Sequence, residues 1–279
     1  MSDELTGLRI VITGGGAGIG RATALMAARR GAVVAIADRD EAAARAVAAE
    51  LTASGASAFA IACDVTSAES VRAGMAQARD AMSGIDVLHC NAGVTDAIAA
   101  QDPSVEGLDI AAWDMVYAVN VRGIFLCTQA ALPALRQSAR ASVITAASIA
   151  AAHARPRTLA YASSKAAVVM LTKSLALELA PDGIRVNGYN PGMVRTEMAE
   201  RYLAAADDPE EMLGKVLENY LADDIGVPED VAEVVCFLAS ERSRFINGAV
   251  IDVDGGFGAF KATGAERGIE QRGEGGGSA

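Results

Sequence analysis

Tyr161 and Lys165 stand four residues apart in a stretch of helical spacing, so their side chains share one face. A phenol with a pKa of about 10 is a poor base at neutral pH, and an ammonium beside it stabilises the phenolate. The pair is equipment for moving a proton to or from a hydroxyl. Ser148 follows the apolar run 142–147, at the carboxyl edge of a sheet, where open α/β proteins bind ligands. Far upstream, a first apolar run leads into Thr13-Gly14-Gly15-Gly16-Ala17-Gly18-Ile19-Gly20 and then a helical stretch. Such a turn lets backbone approach a pyrophosphate closely and offers it helix N-terminal amides. Asp38 ends the second apolar run, 18 residues past Gly20, near the spacing of about 20 at which a carboxylate meets the adenosine ribose. A carboxylate there repels a 2′-phosphate, which favours NAD over NADP; the neighbouring Arg39 could pair with such a phosphate.

These residues need a scaffold, and the chain's periodicity supplies one. Continuous β-branched runs at 8–13, 32–37, 57–63, 86–90, 142–147, 184–189 and 249–253 have the character of parallel strands buried on both faces. Helical stretches lie between them at 19–30, 40–54, 67–82, 110–137, 158–180 and 229–240, each long enough for a crossover. The expectation is an α/β domain with a doubly wound, seven-stranded parallel sheet. Start signals agree: Ser67 with Glu69 close behind, and Pro228-Glu229-Asp230, put capping groups, proline and acids where helices begin. No linker divides the chain, so residues 1–260 read as one domain, with a variable lid at about 197–225. Residues 261–279 read as a flexible tail, poor in apolar residues.

Composition removes several function classes. With 24 basic and 35 acidic residues the formal charge is −11, a field that repels nucleic acid and anionic membrane surfaces. The longest uncharged stretches, such as 123–135, fall short of a bilayer span of about 20 residues. The acidic opening Met1-Ser2-Asp3-Glu4-Leu5 does not read as an export signal. Cys63, Cys90, Cys127 and Cys236 are widely spaced, which fits free thiols in a cytoplasmic protein and no metal site.

Taken together, the chain from Leu8 to about Phe257 resembles the short-chain dehydrogenase/reductase family, in its subgroup of some 250 residues. The motifs that carry the resemblance are the TGxxxGxG turn Thr13 to Gly20, Asp64-Val65, Asn91-Ala92-Gly93, Asn120, Ser148, Tyr161 with Lys165, Pro191-Gly192, and Asp254-Gly255-Gly256. The resemblance implies a Rossmann fold and hydride transfer between a nicotinamide cofactor and a secondary alcohol or ketone. It implies that Tyr161 is the general acid/base, that Ser148 hydrogen-bonds the substrate oxygen, and that Lys165 binds the nicotinamide ribose and lowers the Tyr161 pKa. Asn120 would hold a water that relays protons. Gly14, Gly16, Gly18, Ile19, Gly20 and Asp38 would hold the dinucleotide's adenosine and pyrophosphate, Asp64 and Val65 would sit by its adenine, and Asn91, Ala92 and Gly93 would line its middle. Pro191, Gly192, Val194 and Thr196 would hold the carboxamide end. A homotetramer built on the two long apolar helices is also implied.

The chain departs from the family pattern at Cys90, where a second asparagine is common, and at Asp223-Asp224-Ile225-Gly226, before the last helix. Leu126 and Asp182 stand where carrier-dependent 3-oxoacyl reductases place arginines, which favours a free small molecule over an acidic carrier protein; an NADP-dependent 3-oxoacyl reductase is the alternative, with Arg122 and Lys173 in its favour. A non-catalytic NAD sensor is a further alternative, opposed by the intact Asn120, Ser148, Tyr161 and Lys165. Met198, Tyr202, Leu203, Met212, Leu213 and Tyr220 either line an apolar substrate pocket or pack the lid. His153, Arg155 and Arg157 could meet an anionic substrate group, and His89 reads as a buried strand residue.

Overall fold

The computed structural model describes residues 4–204, 206 and 208–259; the expected tail, 261–279, lies outside them. Seven strands form one parallel sheet: β1 (Arg9–Thr13), β2 (Val33–Asp38), β3 (Ala58–Ala62), β4 (Val87–Cys90), β5 (Ser142–Ala146), β6 (Arg185–Pro191) and β7 (Val250–Val253). Their spatial order is β3-β2-β1-β4-β5-β6-β7, the doubly wound arrangement expected from the sequence. Alternate residues serve opposite faces: in β1, Val11 enters one core layer while Ile10 and Ile12 enter the other.

Helices cover both faces. α1 (Gly18–Arg29), α2 (Glu41–Ala53) and α10 (Pro228–Ala239) pack on one side. α3 (Ala68–Met82), α6 (Gly123–Leu135) and α7 (Leu159–Leu179) pack on the other. Side-chain caps start several of them: Asp40 accepts from the Ala43 N–H at 3.1 Å and Ser67 from the Ser70 N–H at 3.2 Å. Asp230 reaches back to the Val227 N–H at 2.8 Å.

One region differs from expectation. The single helix expected over 110–137 is interrupted. It comprises α5 (Ile110–Tyr117), a π turn (Ala118–Arg122) and α6, because one extra residue is taken up around Asn120; such turns recur at functional sites. Across that turn, Ile110–Leu135 matches a bilayer-spanning helix in length and composition. In the fold, Val116, Val119, Ile124, Cys127 and Leu135 belong to the core instead. The lid segment carries α8 (Glu197–Ala204) and α9 (Pro209–Leu217), and a short α4 (Asp96–Ala99) follows β4.

One half-buried ion pair ties the amino ends of β1 and β4. Asp86, 4 % exposed, accepts from the Arg9 N–H at 2.9 Å, from Arg9 Nε at 2.8 Å and Nη2 at 2.7 Å, and from Ser138 Oγ at 2.6 Å. Burial pushes its carboxyl up, but the Arg9 and Ser138 hydrogen bonds outweigh burial and hold it below the ordinary value. Asp86→Ala leaves the guanidinium without its partner and is expected to cost about 3 kcal/mol in urea unfolding at neutral pH. The folded pKa is lowered, so this stabilisation is complete above about pH 4 and fades as pH falls through the lowered value. The gap between the two proteins should close in acid, and a gap independent of pH would contradict this account.

Candidate active site

At the carboxyl edge of the sheet, β1 and β4 are neighbours whose chains leave to opposite sides, and a cavity of about 370 Å³ opens there. Its wall includes Gly14, Gly18, Ile19, Asp38, Asp64, Val65, Asn91, Ala92, Gly93, Tyr161, Lys165, Pro191 and Thr196. Gly16, Gly20, Asn120, Ser148, Gly192 and Val194, also singled out in the sequence, stand behind or beside that wall.

The glycine turn is shaped by close approach. Gly14 and Gly18 have φ of 62° and 50°, a region that favours glycine. A Cβ on Gly20 would run into the Gly14 carbonyl and lie 2.6 Å from Asn91 Nδ2. Gly16 donates its N–H to Asp38 Oδ2 at 3.0 Å, and Asp38 Oδ1 accepts from the Asp40 N–H at 3.0 Å. Asp38 therefore braces the turn while facing the cavity, with Arg39 beside it. Unlike α2 and α3, α1 has no side chain capping its first amides, which suits an anion at that helix end. Uncapped amides, positive-φ glycines and a cavity that added Cβ atoms would narrow all fit a dinucleotide.

Asn91 holds this turn against β4. Its Nδ2 donates to the Thr13 carbonyl at 3.1 Å and the Gly14 carbonyl at 2.9 Å, and its N–H to Thr13 Oγ1 at 3.1 Å. Behind it lies a polar pair: Tyr189 Oη is 2.8 Å from His89 Nε2 and donates to Asn91 Oδ1 at 3.4 Å. Burial presses the His89 pKa down to about 3, so the ring is neutral. The reading of His89 as merely buried missed the Tyr189 partner, a contact between strands 100 residues apart in the sequence. Cys90 is buried, and burial pushes its thiol up to about 12.

Around Tyr161 the expected groups converge. Ser148 stands close enough to Tyr161 to lower its pKa; it has an extended backbone and caps the short turn Ile149–Ala151, its Oγ accepting from the Ala150 N–H at 3.1 Å. Lys165 Nζ lies 5.6 Å from the centre of the Tyr161 ring and donates to the Ala146 carbonyl at 2.7 Å. Burial raises the phenol pKa, Ser148 lowers it and the Asp96 charge raises it, with a net rise. Lys165 is itself lowered to about 8 by burial. Desolvation sets the direction for both groups.

The Asn120 side chain is bonded at both polar atoms: Oδ1 accepts from the Val94 N–H at 2.9 Å, and Nδ2 donates to the Val94 carbonyl at 2.9 Å and Ser164 Oγ at 3.0 Å. Gly192 packs against Tyr220 and Asp254, and buried Val194 bridges to Gly226. Of the lid residues, Met198 lines the cavity, while Tyr220 and Leu213 pack a small core with Val216, Ile225 and Phe257. His153 and Arg155 both rest on Phe257, at 5.2 and 5.1 Å between centres, and Arg157 pairs with Asp102 at 2.7 Å. Cavity residues not foreseen from the sequence include Cys63, Ile98, Tyr189, Glu197 and Arg201.

Such a fold and cleft define an NAD(P)-dependent oxidoreductase acting on CH–OH groups. A family model described as "Enoyl-(Acyl carrier protein) reductase" matches residues 14–258, and the chain belongs to the short-chain dehydrogenase/reductase family. It is 38% identical over 260 residues to 2-(S)-hydroxypropyl-CoM dehydrogenase 3 of Xanthobacter autotrophicus, covering 93% of this chain and 100% of the relative. It is 32% identical over 248 residues to the cyclopentanol dehydrogenase of Comamonas testosteroni, covering 89% and 96%. Among solved structures, 3-ketoacyl-(acyl-carrier-protein) reductase from Brucella melitensis, complexed with NADH, superposes with a TM-score of 0.80 at 32% identity, covering 91% of this chain and 99% of that one.

Gly20→Ala tests the turn. Forcing a methyl against the Gly14 carbonyl is expected to weaken NADH binding, followed by fluorescence, at least tenfold, or about 1.4 kcal/mol. Unchanged affinity would mean that the turn does not hold the dinucleotide.

Proposed function

We propose that the protein is an NAD-dependent dehydrogenase that interconverts a small secondary alcohol and its ketone, with Tyr161 as general acid/base. The observation that carries this reading is the convergence of Ser148 and Lys165 on Tyr161, with Lys165 Nζ 5.6 Å from the ring centre, at the cavity that the glycine turn lines. The relatives' names support it, since 2-hydroxypropyl and cyclopentanol groups are both secondary alcohols.

The division of labour follows from the groups present. A nicotinamide cofactor bound in the glycine cradle supplies the hydride acceptor. Ser148 donates a hydrogen bond to the substrate oxygen and fixes its distance from Tyr161. Tyr161 Oη takes the hydroxyl proton as the carbonyl forms, and returns it in the reverse direction. Lys165 and Thr196 hold the nicotinamide half, while Asp64 and Val65 border the adenine. Asn120 fixes Val94 and the loop before α4, and its Oδ1, which accepts one bond, keeps a second lone pair for a relay water in this reading.

The Asp38 carboxylate supports NAD, since a 2′-phosphate placed beside it would meet like charge; Arg39 on the same wall is the one feature in favour of NADP. The exposed apolar side chains Met115, Phe125, Met170 and Leu177 on the long helices support a homotetramer with those faces covered, which light scattering would show as a mass of four chains. The buried, unpaired cysteines support a cytoplasmic location.

Absorbance at 340 nm, with NAD and a panel of alicyclic, aromatic and short-chain secondary alcohols, tests the activity. Turnover is expected, with a loss of at least about a hundredfold in Tyr161→Phe. NADH is expected to bind more tightly than NADPH, and Asp38→Ala to narrow that preference by about tenfold. Turnover that survives Tyr161→Phe would overturn the assignment of the base.

A further inference from the structure

The helix that carries Tyr161 is capped from far away in the sequence. α7 is 21 residues long, and Thr158, just before it, makes no side-chain capping bond. The first amides are met instead by Asp96: Oδ1 accepts from the Ala160 N–H at 2.9 Å and Oδ2 from the Tyr161 N–H at 2.8 Å. Asp96 is 1 % exposed and forms no ion pair with a basic side chain among the described residues. Its charge is balanced by the helix end and two charge-assisted bonds. The second of those bonds grips the backbone of the tyrosine itself.

Asp96 ends a short span with two further anchors. Asn91 fastens the start of that span to the glycine turn, and Val94 is clamped through both its N–H and its carbonyl by Asn120. Residues between these anchors, Ala92 and Gly93, line the cavity. We propose that Asp96 is a positioning residue for the reaction: by holding the Ala160 and Tyr161 amides, it sets the placement of the Tyr161 phenol relative to the loop that lines the cofactor cavity. This rests on Tyr161 being the residue that moves the proton.

The bonding pattern separates this role from simple packing. Asparagine is nearly isosteric with aspartate, but has one acceptor oxygen and would turn an NH2 group toward an N–H. Glutamate is bulkier, yet keeps both acceptors and the charge. Asp96→Asn is expected to lower kcat for an alcohol found in the 340 nm panel at least about tenfold, with NADH affinity within about twofold of wild type. Asp96→Glu is expected to retain more activity than Asp96→Asn. A residue that merely fills space would give the opposite order, and that order would overturn the proposal.

A second readout needs no substrate. First-turn amides of a helix ordinarily lack partners and exchange quickly with solvent. In the wild type, hydrogen exchange at Ala160 and Tyr161 is expected to be slow, and in Asp96→Asn fast. Fast exchange in the wild type would overturn the proposal even if the variant failed to fold. Absence of turnover in the wild type, with exchange still slowed by Asp96, would instead remove the dehydrogenase reading and leave the capping intact.

Discussion

The pairing of β1 with β4 is the constraint on which the rest depends. Parallel register sets Thr13 beside Cys90, so the two chains leave the sheet side by side and turn to opposite faces. Asn91, the next residue after β4, then reaches the carbonyls of Thr13 and Gly14. The glycine turn and the loop that follows β4 become one hydrogen-bonded unit, whose backbone polar groups are satisfied without filling the crevice. Everything chemical in the molecule is attached to that unit or faces it.

The attachments are polar and largely buried, which makes them specific. Two strands further along the sheet, the β6 residue Tyr189 pairs with Ala146 of β5; its hydroxyl meets His89 and Asn91, within reach across so small a neighbour. Val94 is locked by Asn120 and Asp96 by the α7 amides. Each unit of this network would be costly to leave unpaired, so the cleft has one arrangement rather than several. Preorganisation of this kind lets a phenol and a hydroxyl hold a substrate oxygen without reorganising at the moment of reaction.

Much of this was legible in the sequence. Strands buried on both faces require continuous β-branched runs, and all seven expected runs coincide with observed strands to within two residues. The glycine turn, Asp38, Ser148, Tyr161 and Lys165 were legible for a related reason: their spacing within one or two elements fixes their placement. What escaped were features set by tertiary contact. The π turn inserts one residue without disturbing the apolar pattern of 110–137, so periodicity gives no sign of it. Asp96 caps a helix 64 residues away, a relation that no local pattern encodes. Spacing brings the Lys165 ammonium near Tyr161, but the depth at which the phenol is buried, which sets the direction of its pKa, is a tertiary property that no spacing encodes.

The central claim is that this cleft transfers hydride from a carbinol carbon. Its most direct measurement is isotopic: the protein is incubated with NAD and secondary alcohols deuterated at that carbon, and the recovered dinucleotide is weighed by mass spectrometry. The account expects one deuterium to appear on the nicotinamide ring, with the label absent when Tyr161→Phe replaces the wild type. Ketone formed without label in the cofactor would contradict it.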